Sequence, residues 1–145
     1  MTVAGALLFS VALGIVAGTP AQEKAFTDKY KAAMEGKDTA TLESFLYTQG
    51  SDPAALEFYK MMQSGGAGEK ISSIEVVNLT PEDVKKATTP MDGPTGKACL
   101  TLKPTKKLII KVEKKDGSGS SSSTSENFVA EKDGKFVIPV PGPCK

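Results

Sequence analysis

The spacing of apolar residues divides the chain into three regimes. Through residues 4–17 apolar side chains are nearly continuous, and no charged residue precedes Glu23. Over 22–35 they recur at helical spacing, with Phe26, Tyr30, Ala33 and Met34 on one face and Lys24, Asp28, Lys29 and Lys31 elsewhere. Gly36 ends that helix. A second short helix, capped by Asp38 or Thr39, carries Leu42, Phe45 and Leu46. Asp52-Pro53 opens a third over 53–63, with Leu56, Tyr59 and Met62, because an Asp side chain accepts from orphan N–H groups and Pro fits the first helical position. The glycine-rich run 64–68 stops it.

From residue 71 the period becomes two. Residues 71–79 predict a strand, and 80–96 is irregular, with one helical turn at Thr80-Pro81-Glu82-Asp83. Ala98, Leu100 and Leu102 alternate with polar residues over 97–103. Leu108, Ile110 and Val112 do so over 107–114, after a turn at 104–106. The segment 116–125 is rich in Gly and Ser, offers little apolar surface, and reads as a flexible hairpin loop. Strands over 127–131 and 135–140 flank Asp133-Gly134, a strong short-range hairpin signal. Pro139, Pro141 and Pro143 carry no N–H, so the last strand is expected to be short or at an edge.

Helices followed by strands imply an α+β fold, with N-terminal helices packed on a curved antiparallel sheet of four to five strands. Three stretches carry a resemblance: the opening helix with its Gly36-Lys37-Asp38 break before Leu42, Phe45 and Leu46; the strand at 71–77; and the hairpin at 128–138. In these the chain resembles the nuclear-transport-factor-like, or SnoaL-like, cone fold. The resemblance implies a single cone-type domain over 22–145. It also implies a homodimer through the open sheet face, although lysines on these strands oppose that. Such folds serve isomerases, dehydratases, small-molecule binders and assembly domains, so the fold does not decide the function.

Residues 1–21 read as a signal peptide, with an apolar core too short to span a bilayer and small residues before a cut after Ala21. The amino-terminal region lacks the usual Lys or Arg. An uncleaved anchor helix is the alternative, and the only membrane attachment the sequence offers. The mature chain is expected outside the cytosol, periplasmic or secreted. There the two cysteines, Cys99 and Cys144, form one disulfide closing a loop of about 45 residues, for a stabilisation of about 4 kcal/mol.

A formal charge of +1 gives no general attraction to nucleic acid, and the lysines at 103, 106, 107, 111, 114 and 115 lack interleaved aromatics. With no histidine, the commonest general base and metal ligand are missing. No cofactor, metal set or catalytic residue is predicted. Phe26, Tyr30, Phe45, Tyr59 and Met62 are the candidate pocket. Three readings remain open. The first is an exported, non-catalytic domain binding a small apolar ligand or a protein partner of the envelope. The second is an isomerase or dehydratase using a Tyr and a carboxylate. The third is an envelope interaction module using the lysine-rich hairpin.

Overall fold

Helix α1 (Pro20–Glu35) buries Phe26, Tyr30, Ala33 and Met34, the four residues whose spacing predicted one apolar face. It starts at Pro20 rather than at residue 22, because Thr19 caps it: the Thr19 hydroxyl accepts from the Gln22 N–H, and the Gln22 side chain accepts from the Gly18 and Thr19 N–H groups. The computed structural model describes residues 18–93 and 96–145. Most of the predicted leader (1–17) and the loop pair 94–95 lie outside the described residues. Helix α2 (Thr39–Ser44) takes Asp38 as its cap and buries Leu42, and β1 (Leu46–Tyr47) follows. Helix α3 (Pro53–Gly65) is capped by Asp52, whose Oδ1 accepts from the Ala54 and Ala55 N–H groups at 2.9 and 3.2 Å.

The remaining elements are β2 (Ile71–Asn78), α4 (Pro81–Thr88), β3 (Met91–Gly93), β4 (Gly96–Leu100), β5 (Lys106–Asp116), β6 (Gly119–Lys132), β7 (Lys135–Pro139) and β8 (Pro141–Pro143). They form a five-stranded sheet, β1-β7-β6-β5-β2, and a three-stranded sheet, β3-β4-β8. The fold is α+β with its helices at the N-terminal side. The expected sheet was wholly antiparallel. The observed one is mixed, because β1 pairs parallel with β7. The alternation at 97–103 and 107–114 suggested a hairpin, yet β4 stops at Leu100 and joins the small sheet, pairing with β3 and β8. Helices α1 and α2 lie on one face of the large sheet. There Leu42, Leu108, Val129 and Val140, all fully buried, join Phe26, Tyr30, Phe45 and Ile110 in one core.

The serine-rich segment is a strand, not a flexible loop. Strand β6 pairs with β5 in continuous register from Lys106↔Val129 to Asp116↔Gly119. A two-residue turn closes the hairpin, with Asp116 Oδ1 accepting from Ser118 N–H and Oγ–H at 3.0 and 2.7 Å. Serine has little local preference, so the ladder offered by β5, with Ile110 and Val112 opposite Ser125 and Ser123, sets its conformation. The Asp133-Gly134 turn has positive φ at both residues, 52° and 75°, as a tight hairpin requires. Cys99 on β4 and Cys144 beyond β8 are bonded, with Cα atoms 5.0 Å apart.

Helix α4 has two helical turns where one was expected, and its cap reaches into the sheet. The buried Asp83 carboxylate accepts from Thr80 N–H at 2.9 Å and from Lys107 Nζ at 3.1 Å. The Thr80 N–H first, and then the Lys107 ammonium, hold the Asp83 carboxyl down to about 2. Because the unfolded value is about 3.9, the charged cap's contribution is complete above about pH 4 and is lost as pH falls through about 2. Urea titrations should therefore show stability falling between pH 4 and 2 in the parent. The fall should be shallower in Asp83→Asn, which should also be less stable at neutral pH; parallel profiles would refute this account.

Candidate functional site

Helix α3 places Ala55, Phe58, Tyr59 and Met62 at i, i+3, i+4 and i+7, an apolar stripe suited to burial. Only part of that stripe is covered. Ala55, Leu56 and Tyr59 pack against the core, whereas Phe58, Met61 and Met62 remain 52, 62 and 45% exposed. Met91 of β3, 42% exposed, shares a groove with Phe58 and Met62. Between α3 and the small sheet runs an apolar groove of about 500 Å³ with Phe58, Ala98, Pro141 and Pro143 among its lining residues. Beside it, over the large sheet, lies a second cavity of about 590 Å³. Tyr59, Met62 and Met91 line both, so the two form adjoining lobes of one cleft. Single exposed apolar residues are ordinary; several around a formed cavity mark a binding surface.

The second lobe has two characters. Tyr30, Met34, Ile110 and Val112 line its apolar side, and Ser123, Ser125 and Asn127 of β6 line its polar side. Ser125 pairs with Ile110 and Ser123 with Val112, whose side chains are buried beneath the helices, so the serines point to the same side of the sheet. Two carboxylates reach this lobe, and each has a cationic partner: Glu69 pairs with Lys114, and Glu126 with Lys107 at 3.5 Å.

Tyr30 sits between the cleft and the core. Its hydroxyl donates to Gln63 Oε1 at 2.7 Å, while Gln63 Nε2 donates to the Leu42 carbonyl at 2.9 Å. Burial pushes the Tyr30 hydroxyl up to about 12, partly opposed by the Gln63 bond, so it stays protonated. Burial also raises Tyr59. Tyr47 donates to Gln49 on the surface. The hydroxyls of Tyr30 and Tyr47 thus meet amides rather than carboxylates.

No family model, curated protein or solved structure matches this chain. The site is therefore read from its own geometry. Of the five predicted pocket residues, Tyr30, Tyr59 and Met62 line the cleft. Phe26 and Phe45 do not line it. They meet edge to face in the core, with centroids 5.3 Å apart, and border a separate shallow depression, while Tyr30 stacks on Phe45 at 5.2 Å. Their helical spacing signalled burial but could not distinguish core from cavity wall. Phe58, Met91, Ser123, Ser125 and Asn127 were missed. Phe58 was legible as a second large apolar residue beside Tyr59 and Met62 on a short helix. The serines were not, because their segment resembled loop.

The lysine-rich hairpin is not one basic face. Strand alternation sends Lys106 to Glu23 of α1 at 3.2 Å and Lys107 to Asp83 of α4, on opposite sides of the sheet. Among the described residues no cluster of His, Cys, Asp and Glu could hold a metal ion, and no helix is long and apolar enough to cross a membrane.

Proposed function

We propose that this is an exported, disulfide-bonded binding domain that holds a small amphipathic ligand without transforming it. The observation that carries this reading is the two-lobed cleft walled by Tyr59, Met62 and Met91, with Phe58 left exposed at its mouth. Each lobe falls within the size range of small-ligand pockets. Methionines adapt to irregular apolar shapes, which suits an alkyl or aryl tail between α3 and the small sheet. Ser123, Ser125 and Asn127 supply a row of hydroxyl and amide groups about 7 Å apart for a polar head. Glu69, Glu126 and Asp92 are paired with Lys114, Lys107 and Lys97, and the Asp52 carboxylate caps α3, so an unpaired charge on the ligand would be poorly matched, which favours a neutral, hydroxyl-bearing head. The disulfide supports an oxidising compartment. Helices on one face of a sheet with a cavity between them support kinship with cone-type folds.

Octyl glucoside, octanoate and octyltrimethylammonium, each below its micelle concentration, test the reading by titration monitored through backbone amide shifts. Octyl glucoside should saturate and move the Met62, Ser123, Ser125 and Asn127 amides. The two charged probes should bind at least five-fold more weakly. Met62→Glu should weaken octyl glucoside at least ten-fold, about 1.4 kcal/mol, with little change in Tm, because the side chain is half-exposed. No saturable shift at these amides, or no effect of Met62→Glu, would dispose of the proposal.

A further inference from the structure

We infer that the free edge of β6 is a docking strand for an extended, uncharged peptide segment, which joins the large sheet where β7 leaves it. This rests on the cleft reading above and adds a peptide to the ligands of its second lobe.

Strand β7 pairs with β6 only from Lys132↔Lys135 to Ala130↔Val137. Lys132 and Lys135 flank a two-residue turn, so they are a hydrogen-bonded pair, and every second residue of β7 after Lys135 faces β6. In that register Pro139 would stand opposite Phe128, and Pro141 opposite Glu126. Proline has no N–H to give, so the ladder cannot continue. The chain goes instead to β1, where Ile138 N–H donates to the Phe45 carbonyl at 2.7 Å, and then to β4. Strand β6 runs on along the edge that β7 has left. Thr105 N–H donates to the Val129 carbonyl at 2.9 Å, so Val129 faces β5. Alternation then turns the main-chain N–H and C=O groups of Phe128, Glu126, Thr124, Ser122 and Ser120 to the opposite edge. Among the described residues no strand pairs with them there.

The second lobe of the cleft lies on this edge. Ser125, Glu126, Asn127 and Phe128 all line it, as do Ile138 and Pro139. Consecutive side chains of a strand point to opposite faces, so a cavity touching each of them meets the strand edge-on. It is a slot between β6 and the departing β7. The other edges are blunted: β1 has two residues and β3 three, β8 is Pro-Gly-Pro, and β2 carries a bulge between Ile71 and Ser73. From Gly119 to Ser125, β6 has neither proline nor charge. Its small side chains let a second main chain approach to the ordinary strand spacing of about 4.8 Å. Charge selects the kind of segment. Glu69 and Glu126 are the charged residues lining the lobe, and both are paired with lysines, so a neutral segment fits. In antiparallel pairing, residues opposite Ser123, Ser125 and Asn127 turn their side chains to the helix side of the lobe. Those opposite Thr124 and Glu126 exchange hydrogen bonds with β6. Apolar residues at every second position therefore suit the slot.

Acetyl-Ser-Val-Ser-Val-Ser-Val-Ser-amide and two N-methylated forms test this on the oxidised protein. Methyl groups on the valines point away from β6, whereas methyl groups on the serines replace the N–H groups that pair with it. The parent and valine-methylated peptides should bind saturably, within about three-fold of each other. The serine-methylated peptide should bind at least ten-fold more weakly. Saturation with the parent peptide should slow amide hydrogen exchange at least ten-fold at Ser122, Thr124 and Glu126. Ser123 and Ser125, whose amides already face β5, should change little. Equal affinities for the two methylated peptides, or no slowing at Thr124 and Glu126, overturn the inference. If octyl glucoside binds and the peptide does not, the docking strand is overturned and the cleft reading stands. If neither binds, both fall. A dimer in sedimentation runs, with the same amides protected before any peptide is added, would give the edge to a second copy and overturn the peptide.

Discussion

Replacing both cysteines, as Cys99→Ser with Cys144→Ser, should lower the thermal midpoint by on the order of 15 °C relative to the oxidised protein. The estimate joins about 4 kcal/mol of loop-closure entropy with about 4 °C per kcal/mol for a domain of this size. The bond spans a sequence separation of 45 residues, so it restricts a large part of the unfolded ensemble. The native geometry gives a second reason. Strand β8 is Pro-Gly-Pro, and two of its three residues have no N–H to donate to β4. It is held partly from outside the ladder, by Asp52 N–H to the Pro141 carbonyl at 2.9 Å and by the Thr101 hydroxyl to the Val140 carbonyl at 2.9 Å. Its Gly142 packs so closely on the main chain of Gly50 that a Cβ would stand 2.0 Å from that carbonyl oxygen. Without the disulfide, β8 is expected to loosen from its Cys144 end. Since Pro141 and Pro143 line the apolar groove, octyl glucoside affinity should fall as well. Circular dichroism melts of the oxidised and double-serine chains measure the first effect, and a midpoint change under 3 °C would refute it.

Gln63→Leu should cost about 3 kcal/mol, and Tyr30→Phe in the same chain should restore most of it. Gln63 is 7% exposed and joins the Tyr30 hydroxyl to the Leu42 carbonyl. Leucine at 63 removes both bonds and strands a buried hydroxyl, for which about 1–3 kcal/mol is typical. The Leu42 carbonyl keeps a long bond from Phe45 N–H at 3.4 Å, so most of the penalty falls on Tyr30. Tyr30→Phe alone should cost less, since the Gln63 amide can turn toward the open cleft and water. With both polar partners gone, the contact becomes an ordinary apolar one. Urea denaturation of the four proteins, with unchanged m-values, should yield a coupling of at least about 1 kcal/mol. Additive effects would show that the pair does not act as a unit. Such a coupling would show that Tyr30 and Gln63 act together in holding the floor of the cleft.

The parts legible in the sequence share a cause. Asp52 before Pro53, Asp38 before Thr39, and Asp133-Gly134 each act within about four residues, so their chemistry can be read without knowing where the chain goes next. The α1 stripe of Phe26, Tyr30, Ala33 and Met34 is equally local, because helical geometry alone brings those residues to one face. The cysteine pairing followed from the number of cysteines and the inferred compartment. The shift of the helix start to Pro20 exposes the limit of that reading: the Thr19–Gln22 cap was visible in principle, but it was absorbed into the presumed leader.

By itself, then, the sequence determined an α+β chain, three helices with the caps of the second and third, the final hairpin and one cross-link. Tertiary structure alone decided that the serine run is a strand, that β4 leaves β5 for a separate sheet, that β1 runs parallel to β7, and that α3 keeps Phe58 and Met62 uncovered. The physical reason is the range of the interactions. A serine is nearly indifferent to its backbone state until a partner such as β5 offers a ladder, and that partner's hydrogen bonds set the register. Likewise, a helix's periodicity reveals which residues share a face. Only the arrangement of the other elements decides whether that face is buried or left open as the wall of a cleft.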